Sequence, residues 1–194
     1  TSSPTSYANS QKTLVIEDST SPAIAWSDTG QTRDWFAIAQ GSGLYFNYGD
    51  GGGSGGASNV SSVMVLDNTG HVTKPLQPSV HVQRSGVQTN IPINTNQTVE
   101  FDQELFDVNN DFNTGTYTFT APVTGKYLVS TNVRMESVPT DFTYYYLYLV
   151  TSNGNRWGDL MGYGSQYFSS APLYVTMGFT CIADMDANDT AYIR

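Results

Sequence analysis

One cysteine, two histidines and eight lysines and arginines occur in 194 residues, and each shortage closes off a class of function. A lone cysteine, Cys181, forms no internal disulfide. Set in Phe179-Thr180-Cys181-Ile182-Ala183, it reads as a small apolar packing residue rather than a reactive thiol. An oxidising compartment is therefore neither required nor excluded. A Ser-His-Asp arrangement needs a positioned histidine. His71 stands beside a turn and His81 in a strand, and both read as structural polar residues. No His/Cys spacing matches a zinc site. The net charge is −9 with no basic cluster, which argues against a nucleic-acid groove and against anionic lipid. No run of 18 apolar residues exists, so no membrane insertion is expected.

Charged residues are only 13% of the chain, yet aromatics also reach 13%, which is not a disordered composition. Ser, Thr, Asn, Gln and Gly fill the rest, as suits an all-β protein surfaced with hydroxyls and amides. Residues 1–12 read as a polar arm, and a start at Thr1 reads as a processed product or fragment. Residues 13–73 read as a small β-module of short strands: Leu14–Ile16, Pro22–Trp26, Asp34–Gln40, Gly43–Tyr48, Val63–Leu66 and His71–Thr73. Ser27-Asp28-Thr29-Gly30 and Asp67-Asn68-Thr69-Gly70 are turns, an Asp bonding its own backbone before a Gly. The glycine-rich stretch at 49–56 lacks the following Lys-Ser or Lys-Thr of a phosphate loop and reads as a hairpin tip. About sixty residues bury little surface alone, so a core shared by three copies is expected. Lys74-Pro75-Leu76-Gln77-Pro78 is the linker.

Residues 79–194 form the second part. Val80–Gln83, Thr89–Ile93 and Gln97–Phe101 are its early strand candidates. In Thr116–Thr120, Tyr117 and Phe119 alternate with threonines. Ala121-Pro122-Val123-Thr124-Gly125 turns the chain, and Lys126–Thr131 resumes as a strand. Leu173–Ile182 is one long strand or a pair, Asp184–Asp189 an acidic turn, and Ala191–Arg194 opens another strand.

In Thr143–Val150, Tyr144, Tyr146, Tyr148 and Val150 share one face, and Tyr145, Leu147 and Leu149 share the other. Neither face is polar, whereas a surface strand in a monomer shows one polar face. A second cover is expected, most simply a partner subunit. Tyr144, Tyr146, Tyr148, Leu147 and Leu149 are thus assigned to a trimer interface or core.

Phe112-Asn113, Phe119-Thr120-Ala121-Pro122 and Gly125-Lys126-Tyr127 resemble the C1q-like globular-head family, relatives of tumour necrosis factor. The resemblance spans about residues 78–194. It implies a jelly-roll β-sandwich, a homotrimer, and further strands beyond Arg194. It also makes Phe112, Asn113, Phe119, Ala121, Pro122, Gly125 and Tyr127 structural motif residues. The pattern of residues 13–73 resembles the short β-modules near the ends of phage tail fibres, here Leu14-Val15-Ile16-Glu17-Asp18 and Val65-Leu66-Asp67-Asn68-Thr69-Gly70-His71-Val72.

Carboxylates are dense at Glu100, Asp102, Glu104, Asp107 and Asp111. A pair of them could serve a glycosidase, but the run reads as a solvated acidic rim. Neither it nor Asp184, Asp186 and Asp189 has the regular spacing of a calcium loop, so calcium is possible and no metal ligand is assigned. Asn59, Asn96 and Asn188 stand in Asn-x-Ser/Thr triplets, which arise easily by chance in such a chain. Loop aromatics Trp157, Tyr163, Tyr167 and Phe168 are the binding candidates, flat faces that stack on sugars or protein loops; interface or core filling is their alternative.

The expectation is a non-enzymatic, trimeric virion protein, a phage tail fibre or tail tip. It would bind a host surface glycan or protein multivalently, alongside other virion proteins. A purely structural virion or capsid fibre and a secreted C1q-like recognition protein are the alternatives. Absence of collagen-like Gly-x-y repeats favours the fibre over the secreted animal protein. Light scattering on the isolated chain should give a mass near three chains, and loss of that mass with chelator would place calcium in the assembly. A stable monomer would sink the shared-core reading.

Overall fold

The structure, a computed structural model, describes residues 16–17, 19–26, 33–50, 58–92, 94–154 and 156–194. The arm, the Leu14-Val15 part of the first strand, the Asp28-Thr29-Gly30 turn and the glycine-rich tip at 51–56 lie outside the described residues. The chain divides into two compact units, residues 1–77 and 78–194. Both are built of strands, and the all-β expectation holds.

Unit one is a meander of five antiparallel strands in chain order: β1 (Ala23–Trp26), β2 (Arg33–Gln40), β3 (Gly43–Asp50), β4 (Ser58–Asp67) and β5 (Val72–Thr73). Gly41, at φ 53°, makes the tight β2–β3 turn possible, because the left-handed region carries no steric cost for glycine. At the β4–β5 turn, Asp67 Oδ1 accepts from the backbone N–H of Thr69 (2.9 Å) and of His71 (2.9 Å) and from the Thr69 hydroxyl (2.6 Å). These bonds hold the Asp67 carboxyl down at about 2, the Thr69 hydroxyl first among them. The sheet carries apolar side chains on both faces. Ile24, Trp26, Trp35, Phe46 and Tyr48 share one face, and Phe36, Ile38, Tyr45 and Val65 share the other. Trp35 and Tyr48 stack at 4.9 Å. Among the described residues of this unit, no apolar side chain is fully buried; Trp26 stays 56% exposed and Trp35 50%.

Unit two is a sandwich with a peripheral ribbon. The ribbon pairs β6 (Val80–Gln83) with β7 (Gln103–Asp107). One layer pairs β10 (Gly125–Glu136) with β13 (Tyr174–Met185) along all twelve residues of each. The facing layer contains β8 (Phe112–Asn113), β9 (Thr118–Thr120), β11 (Tyr144–Thr151), β12 (Arg156–Gly162) and β14 (Thr190–Ile193), in the order β12-β11-β14-β9-β8. Between the layers Leu147 and Leu149 of β11 and Ala191 and Ile193 of β14 meet Met177, Ala183 and Met185 of β13. Tyr127, Val129, Val133 and Met135 of β10 pack against that core from the inward side of the β10–β13 layer. The other side of β10 faces solvent, in the strict alternation expected of a one-sided strand.

Each motif residue has a local task. Phe112 is buried in the β8–β9 hairpin, opposite Phe119. Asn113 Oδ1 accepts from the N–H groups of Gly115 (2.8 Å) and Thr116 (3.1 Å), folding the hairpin loop. Ala121 is fully buried and exchanges backbone bonds with Asn188 and Asp189. The Tyr127 hydroxyl donates to Val123 O at 2.6 Å and so ties down the loop that Pro122 enters. Gly125 starts β10.

Three strand readings are corrected. Tyr117 does not continue β9; at φ 59° it closes the hairpin loop, and the strand begins at Thr118. Thr89–Pro92 is not a strand: Asn90 (φ 58°) and Asn94 (φ 56°) turn the chain. Gln97–Phe101 is irregular. The Gln88 side chain bonds the backbone of Glu100 (3.0 Å) and Thr98 (2.9 Å), standing in for a neighbouring strand. The last strand, β14, is paired on both sides, by β11 and β9. Leu149→Ala should cost about 3 kcal/mol in urea unfolding. Leu128→Ala, at a position 74% exposed on the outer side of β10, should change stability by less than about 0.5 kcal/mol.

Candidate functional site

The β11–β12 hairpin carries the aromatic surface. Its register sets Tyr144 opposite Gly162, Tyr146 opposite Leu160 and Tyr148 opposite Gly158. Gly158 is required there, because a Cβ would lie 2.3 Å from Leu147 O. Tyr146 and Tyr148 rings lie 4.7 Å apart, and the Tyr148 hydroxyl donates to Asn96 Oδ1 at 3.1 Å. The irregular stretch around Asn96–Val99, bonded to β14 through Val99 N–H and Ile193 O (2.9 Å), thus supplies part of the second cover. A partner subunit is not needed for Tyr148, Leu147 or Leu149, which are buried within one chain. Tyr144 (63% exposed), Tyr146 (47%) and Leu160 (62%) remain open on the same face. Together they form a contiguous apolar patch.

Of the four loop candidates, Trp157 lies opposite Leu149 and is half-buried against the core. The others follow the hairpin. Tyr163, at φ 51°, precedes the one-turn helix α1 (Gly164–Tyr167). Gly164 is buried under the Phe142 ring, where a Cβ would come within 2.5 Å. That contact and the Tyr163 N–H to Thr143 O bond (2.6 Å) fix the turn. Tyr163 and Tyr167 are exposed, and Phe168 is half-buried beside Tyr167. Leu160 escaped sequence reading: its neighbours Asp159 and Met161 give no clean alternation, and only the register with Tyr146 reveals its face.

The acidic groups separate into different environments. Arg84 pairs with Asp102 and, at 3.7 Å, with Glu100. Ser85 donates to Asp102 from backbone and hydroxyl, and these bonds, with Arg84 behind them, hold that carboxyl below its usual value. Glu104 is exposed. Asp107 and Asp111 are not a solvated rim: each has a carboxylate oxygen sealed from solvent. Asp111 lines a cleft of about 490 Å³ with Glu104, Asn113, Thr120 and Asn188. In the last turn, Asp189 accepts from Ser152 Oγ (2.6 Å), Asn153 Nδ2 (3.3 Å) and the Asp186 N–H (2.9 Å). Its carboxyl is lowered, first by Ser152. These acceptor sites are used in binding the 152–153 turn to the 186–189 turn. Among the described residues, no three His, Cys, Asp or Glu side chains group as a metal site. No helix of the described residues is long and apolar enough to cross a membrane.

No family model matches the chain, and no curated protein matches it. Among solved structures, the globular domain of zebrafish complement 1qA protein is similar over 60% of this chain and 78% of that one, at 20% identity and a TM-score of 0.47.

Because the Asp189 carboxyl is lowered in the fold, its contribution is present above the unfolded value of 3.8 and is lost as pH falls through the folded value. Asp189→Asn should lower the melting temperature at neutral pH and flatten the acid limb of stability against pH. An unchanged acid limb in thermal melts would exclude this role.

Proposed function

We propose that this chain is a trimeric recognition protein at the tip of a virion fibre, a phage tail fibre or tail tip, which binds a host surface glycan or protein. The observation that carries this reading is the apolar surface each unit leaves open. In unit one both sheet faces carry large apolar side chains, and none is fully buried among the described residues. Such a sheet gains stability when copies close over it, which favours a fibre module whose core is shared. In unit two Tyr144, Tyr146 and Leu160 form an apolar patch, and the exposed Tyr163 and Tyr167 follow in the next turn. Tyrosines present an apolar face for stacking and a hydroxyl for hydrogen bonding, the combination that sugars and protein loops both engage.

The mechanism is multivalent. Each patch binds weakly, and three patches on one rigid trimer, with several trimers on one particle, raise the avidity. The fibre assignment leans on the Asp-x-x-Gly turn pattern of residues 65–72 and on the absence of Gly-x-y repeats. The remaining polar surface is rich in amides and hydroxyls, which suits an exposed particle surface.

The test is binding of the purified chain to host cells and to a glycan array, beside its mass in solution. The combined variant Tyr144→Ser, Tyr146→Ser, Leu160→Ser should keep the trimer mass and lose at least about tenfold in apparent affinity. A trimer that binds neither cells nor glycans would favour a purely structural virion role. A monomer would remove the fibre reading.

A further inference from the structure

The facing layer of unit two runs β12-β11-β14-β9-β8, so its two margins carry different surfaces. The aromatic patch lies on β11 and β12, at one margin. At the other, around β8 and β9, lies the cleft of about 490 Å³. Small-molecule sites typically enclose about 300–1,000 Å³. Its walls come from segments distant in sequence: Glu104 of β7, residues 110–114, residues 120–122, and Asn188 in the turn before β14.

The cleft is lined by polar groups that the fold leaves unused. Asn113 Oδ1 is taken by the N–H groups of Gly115 (2.8 Å) and Thr116 (3.1 Å), which pins the amide with its Nδ2 donor unspent. Asn188 bonds Ala121 O through its backbone N–H (2.8 Å), and its side chain stays available. Among the described residues the side chains of Asn110 and Glu104 have no hydrogen-bond partner either. Turn carboxylates elsewhere are spent on their own loops, as Asp189 is on Ser152, Asn153 and Asp186. The backbone under the cleft is fixed. Asn110 (φ 60°) and Asn188 (φ 73°) stand in the left-handed region that asparagine tolerates. Phe112 N–H bonds Asp107 Oδ2 (2.7 Å), and Thr120 N–H bonds Asp111 O (2.8 Å). A frame already set binds a ligand with little ordering cost.

The lining selects its ligand. Glu104 and Asp111 make the cleft acidic, and no Lys, Arg or His lines it. Arg84 is spent on Asp102 and Glu100, and Lys126 on Asp184. An anionic ligand would meet repulsion there. Among the described residues no three His, Cys, Asp or Glu side chains group to hold a metal ion. Side-chain amides donate and accept at once, which matches neighbouring hydroxyl groups, and a carboxylate accepts from hydroxyl donors. Pro122 is exposed on the lining and offers C–H surface to a ring. We propose that this cleft binds one neutral saccharide unit. The amides of Asn110, Asn113 and Asn188 and the Glu104 carboxylate bond its hydroxyls, and Pro122 packs on its ring. The site is separate from the aromatic patch, and it stands whether or not the chain belongs to a virion.

The test is saturation-transfer NMR on the whole chain with a chelator present, so that protein groups alone carry any binding. The neutral probes are the methyl glycosides of glucose, galactose and mannose and N-acetylglucosamine; the anionic probe is N-acetylneuraminic acid. Each is used at about 10 mM, the scale of a weak single site. At least one neutral sugar should bind, and better than the anionic one. The double change Asn110→Gly, Asn188→Gly suits the positive φ at both positions. Asn113→Asp keeps the Oδ1 bonds and removes the Nδ2 donor. Either variant should bind that sugar about tenfold more weakly, the scale of one or two lost hydrogen bonds, with an unchanged near-ultraviolet circular dichroism spectrum. The variant Tyr144→Ser, Tyr146→Ser, Leu160→Ser should bind it as the natural chain does. Absence of any neutral sugar binding would overturn the site, as would preference for the anionic probe or full binding by both cleft variants. Binding lost in the patch variant and kept in the cleft variants would assign the sugar to the patch and overturn the cleft alone. Should neither cleft variant fold, the side-chain amide signals of Asn113 and Asn188 in the natural chain decide. Shifts on adding the sugar support the site, and their absence overturns it.

Discussion

Burial of Leu149 and Met185 between the two layers is the constraint on which unit two depends. They are the largest fully buried side chains, and they come from strands far apart in the chain. Burying both in one core sets β11 and β13 on opposite layers. β13 then brings β10 with it through twelve paired residues, and β11 brings β14, whose second neighbour is β9. Tyr127 follows as a consequence, since its ring packs on the core while its hydroxyl reaches back to the Val123 carbonyl. A hydrophobic requirement therefore orders the strands, and hydrogen bonds refine where each loop begins.

The turns at the ends of the sandwich are held by polar side chains. Asn113, Asp189 and the Tyr127 hydroxyl each satisfy backbone groups that a tight loop leaves without ladder partners. Asp107 does the same for Phe112 but keeps one oxygen bare. That asymmetry sets the 107–112 turn apart from the others. The fully bonded Asp189 carboxylate strengthens its turn when charged.

The two units leave different surfaces unfinished. Unit one is a single sheet with no layer over either face among its described residues, so its apolar side chains lack a cover of their own. Unit two has a closed core and an open aromatic patch on β11 and β12. In the function we propose, the first condition bears on assembly and the second on recognition. Separating them lets the aromatic patch vary without disturbing the core, since Tyr144, Tyr146 and Leu160 make no contribution to the buried cluster.

Local pattern by itself determined the all-β class, the strands over Asp34–Gln40, Val80–Gln83 and Thr143–Val150, and the Asp67 turn. Each depends on alternation or on a side chain bonding its own backbone within a few residues, and such forces are written in neighbouring positions. The fold alone decided what covers Tyr148, where Trp157 points, and that Asp107 and Asp111 each keep one oxygen from solvent. Sequence alternation shows that a residue faces one side or the other, but not which distant segment lies there. For Tyr148 that segment is the stretch around Asn96, 52 residues away, and for Trp157 it is the far layer of the core. The same limit hid the Gln88 bonds to Thr98 and Glu100. A side-chain amide that replaces a strand has no period, so only the packed chain reveals it.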